Sequence, residues 1–274
     1  MMRIRLLLLC VCMGVLQLYA ARLDEVRVYS SAMRRYIPAI VLSPQRMCDE
    51  RFPTVYLLHG YSGNASTWLS VCPELMELSE HYGINIVCPD GANSWYWDSP
   101  LQDSMRYETF ISSELVEYVD CHYPTIASRD ARAITGLSMG GHGALWNAIR
   151  HPDVFGAAGS TSGGVDIRPF PGNWEMSAQL GSYESNKEVW DAHTVANLVD
   201  QIEPGSLALI IDCGYDDFFL PVNDAFHRSL LDRGIAHDYL TRPGEHNRAY
   251  WSNSILYQLL FFHRYFDGAK EWVD

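Results

Sequence analysis

Apolar residues fall in short, nearly unbroken runs along the chain, separated by amphipathic or glycine-rich stretches. The runs at 26–29 and 37–42 read as an opening antiparallel pair. Those at 54–59 (TVYLLH), 84–88 (INIVC), 131–137, around 156–160 and at 207–213 are continuously apolar, the pattern of strands covered on both faces. Between them, 108–121 places Phe110, Ile111, Leu115, Tyr118 and Val119 on one helical face. A helix continues through 144–149 out of a glycine-rich turn, another runs over 224–233 and stops at Gly234, and 251–265 closes the chain as an amphipathic helix. Alternating strands and helices predict an α/β fold, a mostly parallel central sheet with helices on both faces. Residues 163–191, with prolines, glycines and Trp174, read as an insertion covering one edge of a site.

The first residues change this picture. Arg3 and Arg5 precede an apolar run over 6–18, followed by Ala20 and Ala21. This is the layout of a secretory signal peptide, and the run is well short of the roughly 20 residues that span a bilayer. The expected organisation is a signal peptide at 1–21, a single catalytic domain at 22–274, and a secreted or periplasmic location. The net charge of −13 disfavours nucleic acid and anionic membrane surfaces as partners. Of seven cysteines, Cys10 and Cys12 leave with the signal. The other five show no CxxC and no metal-ligand spacing, and Cys88 and Cys213 sit in strand-like runs. No paired histidine motif, P-loop or dinucleotide fingerprint appears, so the sequence implies no metal and no cofactor.

The strongest chemical signal is Gly136-Leu137-Ser138-Met139-Gly140, directly after a strand-like run and opening a helix. That context turns a common string into a nucleophile elbow, in which a tight turn lifts the serine hydroxyl at the end of a sheet. A serine hydroxyl needs a histidine base, and the base needs an orienting carboxylate. Both follow in the required order. The run ending at Cys213 opens into Gly214-Tyr215-Asp216-Asp217, and Gly244-Glu245-His246 precedes the last helix. Asp212, Asp216 and Asp217 compete for the acid; the loop position three after the glycine favours Asp217, with Asp216 as the alternative. His246, in a loop beside a glycine, is preferred as base over His227, His237 and His263. The oxyanion hole calls for backbone N–H groups from Met139 and from Tyr61, in the loop that begins His59-Gly60. His59 reads as a structural residue holding that loop, and Asn64-Ala65-Ser66 matches a glycosylation sequon. Trp68, Trp95 and Trp97 cluster near these loops and are candidates for packing or for lining a substrate pocket.

These residues, with the blocks LLHGYSGNASTW, CPDGANSWYWDSP, YETFISSELVEYVDCHYP and PGEHNRAYW, resemble the esterase D type of esterases, a group that includes tributyrin esterases, feruloyl esterases and S-formylglutathione hydrolases. The resemblance runs from about Val26 to the end of the chain. It implies an α/β-hydrolase fold, a Ser138–Asp217–His246 triad, and Tyr61 and Met139 as oxyanion donors. Asn247-Arg248 departs from the aromatic residue that often follows the histidine in relatives, which bears on the local pocket wall. The expected function is a serine carboxylic ester hydrolase acting on short-acyl, feruloyl or acetyl esters of plant polysaccharide. An acyltransferase on the same triad, like the mycolyltransferases that share the fold, and a non-catalytic binding module on that fold are the competing readings.

Overall fold

A computed structural model describes residues 21–45 and 49–268. The expected signal peptide, apart from Ala21, lies outside the described residues, as do Cys10, Cys12 and Cys48. The strands are β1 (Arg22–Ser30), β2 (Arg35–Ser43), β3 (Thr54–Leu58), β4 (Asn85–Pro89), β5 (Arg132–Gly136), β6 (Ala157–Thr161), β7 (Ala208–Gly214) and β8 (Asp238–Arg242). They form one sheet in the order β1-β2-β4-β3-β5-β6-β7-β8. β1 pairs antiparallel with β2, and β2 antiparallel with β4; from β4 through β8 all pairings are parallel.

The unbroken apolar runs form strands because both faces of the sheet are covered. Tyr56 and Leu58 of β3 point into one core cluster, Val55 and Leu57 into the other. Every residue of β3, β4, β5 and β6 is buried. Each fully buried aliphatic side chain of this kind contributes about 1.5–3 kcal/mol. One face carries α3 (Tyr107–Thr109), which runs through a π-helical turn at Phe110–Glu114 into α4 (Leu115–His122), together with α5 (Met139–Arg150) and α8 (Leu220–Asp232). The other carries α1 (Thr67–Val71), α2 (Leu75–Tyr82) and α9 (Arg248–Phe266). The insertion after β6 contains two short helices, α6 (Met176–Leu180) and α7 (Lys187–Ala192).

The α/β expectation therefore holds, and the sheet is longer than the runs suggested. β8 goes unread in the sequence because DYLTR sits at the sheet edge, half-buried throughout, and lacks the continuous apolar signature. Cys88 and Cys213 are buried strand residues, as read. Among the described residues no helix is long and apolar enough to cross a membrane.

The strand order fixes where a site can form. From β3 the chain moves to β4 on one side, then returns to place β5 on the other. Their C-terminal ends flank a topological switch point, the crevice where ligands bind in open α/β sheets.

Candidate active site

Ser138 stands at that crevice, between the end of β5 and the start of α5, with φ 55° and ψ −117°. A non-glycine residue in this region is strained, at a cost of about 1–3 kcal/mol that the surroundings must offset. The offset is visible. The Leu137 N–H donates to the Leu58 carbonyl at 3.2 Å, and the Ser138 N–H donates to the Thr161 carbonyl at 2.9 Å. The turn is thus tied to β3 on one side and β6 on the other. The flanking glycines are demanded by close approach: a Cβ on Gly140 would lie 2.2 Å from the Leu58 oxygen, and one on Gly136 would lie 2.6 Å from the same oxygen.

β7 delivers the carboxylate. The Asp217 N–H closes a turn onto the Gly214 carbonyl at 3.2 Å, which sends the Asp217 side chain inward while Asp216 remains exposed. Asp217 Oδ1 accepts from the Phe219 N–H at 2.8 Å, and Oδ2 lies 2.8 Å from His246 Nδ1. β8 delivers the histidine through a short loop that ends where the Asn247 side chain accepts from the Tyr250 N–H and caps α9. His246 Nε2 lies 2.9 Å from Ser138 Oγ. An ionised carboxylate only accepts, so the Nδ1 position carries the proton and Nε2 presents its lone pair to the serine hydroxyl. The imidazole is walled by Phe218, Phe219 and Trp251, with ring centroids 4.4, 5.4 and 5.1 Å away.

The competing residues lie elsewhere. Asp212 is buried in β7, where Ser254, Gln258 and Thr161 donate to it. Burial pushes its carboxyl up against those donors. His227 and His237 bond each other at 2.7 Å, and His263 pairs with Asp267 at 3.3 Å. None of the three touches Ser138 or Asp217.

Met139 is the first residue of α5, where leading N–H groups have no partner within the helix. Tyr61 lies in the loop after β3, across the crevice. Loss of surrounding water, and then its hydrogen bond to the Glu175 carboxylate, pushes the Tyr61 hydroxyl up from its ordinary range. His59 holds the loop as expected: its Nδ1 lies 2.7 Å from the Gly60 carbonyl, and its Nε2 accepts from the Gly91 N–H at 2.8 Å.

Trp68, Trp95 and Trp97 are buried at 1%, 1% and 0% exposure. The Trp68 indole donates to the Leu58 carbonyl beneath the sheet, and Trp95 stacks on Trp97 over His142. The rings open to the surface beside His246 are others. Phe218 is 48% exposed and stacks with Trp174, which also meets Phe170. No spacing in the sequence joins Phe218 to the insertion; the fold brings residues 170, 174 and 218 together. Left-handed backbone at Ser62, Ala92, Trp95, Tyr96, Ser162, Trp174 and Glu175, all in segments that follow the C-terminal ends of β3, β4 and β6, concentrates strain on this side of the molecule.

Comparison with known proteins places this arrangement. The family profile described as "Putative esterase" matches residues 30–262. An acetyl esterase of Caldicellulosiruptor saccharolyticus is 27% identical over 272 residues, covering 91% of this chain and 97% of that protein. The S-formylglutathione hydrolase of Mus musculus is 28% identical over 204 residues, covering 66% of this chain and 70% of that protein. A ferulic acid esterase of known structure superposes with a TM-score of 0.79 at 25% identity, covering 90% of this chain and 99% of that one. With a profile match over most of its length and the sheet of an α/β-hydrolase, the chain belongs to this esterase family and is a carboxylic ester hydrolase.

Proposed function

We propose that the chain is an exported serine esterase in which Ser138 is the nucleophile, His246 the general base and Asp217 the orienting acid. The observation that carries this reading is the continuous hydrogen-bonded line Ser138–His246–Asp217, at 2.9 and 2.8 Å. His246 Nε2 takes the Ser138 proton as Oγ attacks the ester carbonyl. The carbonyl oxygen, now negative, is held by the N–H groups of Tyr61 and Met139. Collapse of the tetrahedral intermediate breaks the bond to the alcohol, which leaves with the proton from His246. Water, deprotonated by His246, then attacks the acyl-serine, and the acid departs as Ser138 regains its proton.

The substrates we assign are acetyl and feruloyl esters of plant polysaccharide. Support comes from the names of the relatives, acetyl esterase and ferulic acid esterase, and from the open aromatic wall of Phe218, Trp174 and Phe170 beside His246. Export is supported by the basic residues Arg3 and Arg5 followed by the apolar run over 6–18. The test is release of ferulate from methyl ferulate beside release of acetate from an aryl acetate, by wild type and Ser138→Ala. Both activities should vanish in the variant. Dominant ferulate release supports the feruloyl assignment; cleavage of the short acetate alone restricts the enzyme to small acyl groups. Activity retained by Ser138→Ala sinks the triad.

A further inference from the structure

We propose that Asn93 is a positioning residue that holds the Tyr61–Ser62 peptide, the plane adjoining the one that carries the Tyr61 N–H, and so keeps that donor in the orientation the oxyanion requires; the inference rests on the serine-esterase reading above. A backbone N–H stabilises developing charge only if its peptide plane is fixed before the reaction. Tyr61 lies between two such planes. The first carries the Tyr61 N–H, and its carbonyl, on Gly60, is held by His59 Nδ1 at 2.7 Å and by the Gly63 N–H at 3.0 Å. The second carries the Ser62 N–H, which donates to Asn93 Oδ1 at 2.9 Å. Ser62 has φ 64°, a left-handed conformation uncommon for a serine, and the Asn93 contact ties the second plane in that conformation.

Asn93 is itself fixed, and from the insertion. Its carbonyl accepts from Gln179 Nε2 at 2.6 Å, and its Nδ2 donates to Glu175 Oε2 at 3.3 Å. Gln179, on α6, is 3% exposed and accepts from the Trp97 indole at 3.0 Å. The carboxamide orientation follows from its partners: the oxygen must face the Ser62 donor and the nitrogen must face the Glu175 carboxylate. An aspartate would satisfy Ser62 and repel Glu175. The segment after β4 thus braces the segment after β3 at three points: the Gly91 N–H on His59 Nε2, the Tyr96 hydroxyl on the His59 carbonyl, and Asn93 on Ser62. Through Asn93 the packing of α6 reaches the oxyanion donor.

The test uses the full chain and four variants: Asn93→Ala, Asn93→Asp, Glu175→Gln, and Asn93→Asp with Glu175→Gln. The readouts are kcat and KM for the aryl acetate, the thermal midpoint, and inhibition by a trifluoromethyl ketone, which adds to a serine as a tetrahedral oxyanion. Deleting an oxyanion donor outright costs about 100- to 1,000-fold, so loosening one is expected to cost about 10- to 100-fold in kcat. Asn93→Ala should show that loss with KM and thermal midpoint nearly unchanged, and its inhibition constant should rise by the same factor as kcat/KM falls. Asn93→Asp should lose kcat, and the double variant, which restores both hydrogen bonds, should recover most of it; this pair carries the test if Asn93→Ala fails to fold. Wild-type kcat in Asn93→Ala or Asn93→Asp overturns the proposal, as does a fall in kcat without weaker inhibitor binding. Failure of the underlying reading looks different: wild type then hydrolyses neither ester, or Ser138→Ala remains active.

Discussion

At the residue scale, three neighbouring carboxylates of the same chemistry meet three different environments. Asp212, Asp216 and Asp217 lie within six positions of one another, yet only Asp217 reaches His246. Asp212 is committed to Ser254, Gln258 and Thr161, and Asp216 faces solvent. Asp217→Asn should lower kcat by about 1,000- to 10,000-fold, because it removes the partner that fixes the histidine tautomer. Asp216→Asn should leave kcat within about two-fold, the usual result for an exposed side chain away from the chemistry. Steady-state kinetics of the two variants side by side checks both.

His142, one turn into α5, makes a different residue-level prediction. Burial, reinforced by His193, lowers its pKa to about 3, and its Nε2 lies 3.1 Å from the His193 carbonyl. An unfolded chain binds a proton at this ring below about pH 6.5, and the folded chain does not. Its contribution to stability is therefore full above that value and is lost progressively as pH falls towards 3. Glu108 acts lower on the scale. Burial raises its pKa, but hydrogen bonds from His151, Arg150 and Trp146 outweigh burial and hold it at about 2. Its contribution is complete above the ordinary glutamate value and fades as pH drops through 2. Denaturation of His142→Gln between pH 5 and 6.5 should show a shallower pH dependence than wild type, by up to about 1.4 kcal/mol per pH unit. An unchanged slope would contradict neutral burial of this ring.

At the scale of elements, the decisive contact is the crossing of α5 over β3. Gly140→Ala drives a methyl group into the Leu58 backbone, which cannot move without breaking the Leu137 and Trp68 hydrogen bonds to that carbonyl. Overpacking of this kind costs about 1–3 kcal/mol or more. A lower thermal midpoint together with lost activity is expected, and an unaffected variant would mean that the helix sits farther from the strand. The crossing over β3 itself was not legible in the sequence; the tight turn that leads into it was, because a glycine on each side of Ser138, after an apolar run and before a helix, has few other structural meanings. The interior strands were legible for the same reason, their continuous apolar runs. β8 and the helices of the insertion were not. An edge strand buries only part of each side chain, and α6 and α7 are too short to show a period. Nor does sequence spacing reveal Asn93, whose partners Ser62 and Glu175 are 31 and 82 positions away.

At the scale of the whole molecule, the sheet order places the loops after β3 and β5 at one crevice, while the loops after β7 and β8 bring Asp217 and His246 to it from the far side. The insertion between β6 and β7 adds Phe170 and Trp174 to Phe218 and extends the site into an aromatic surface. Stacking between aromatic rings is worth about 0.5–1.5 kcal/mol. Phe218→Ala should therefore raise KM for methyl ferulate by up to about ten-fold relative to its effect on the aryl acetate. Because Phe218 also touches His246, a change in kcat common to both esters is expected, and the ratio between the two substrates is the informative quantity. Equal effects on both would assign this wall to support of the histidine alone.

The most direct test of Ser138 as the nucleophile is to treat the protein with a fluorophosphonate, which forms a stable bond to an activated serine, and to locate the adduct by peptide mass spectrometry. A single adduct on Ser138, formed as ester hydrolysis is lost and absent from both Ser138→Ala and His246→Ala, is the predicted result. An adduct on another residue, or hydrolysis that continues at the wild-type rate once Ser138 is blocked, would contradict it.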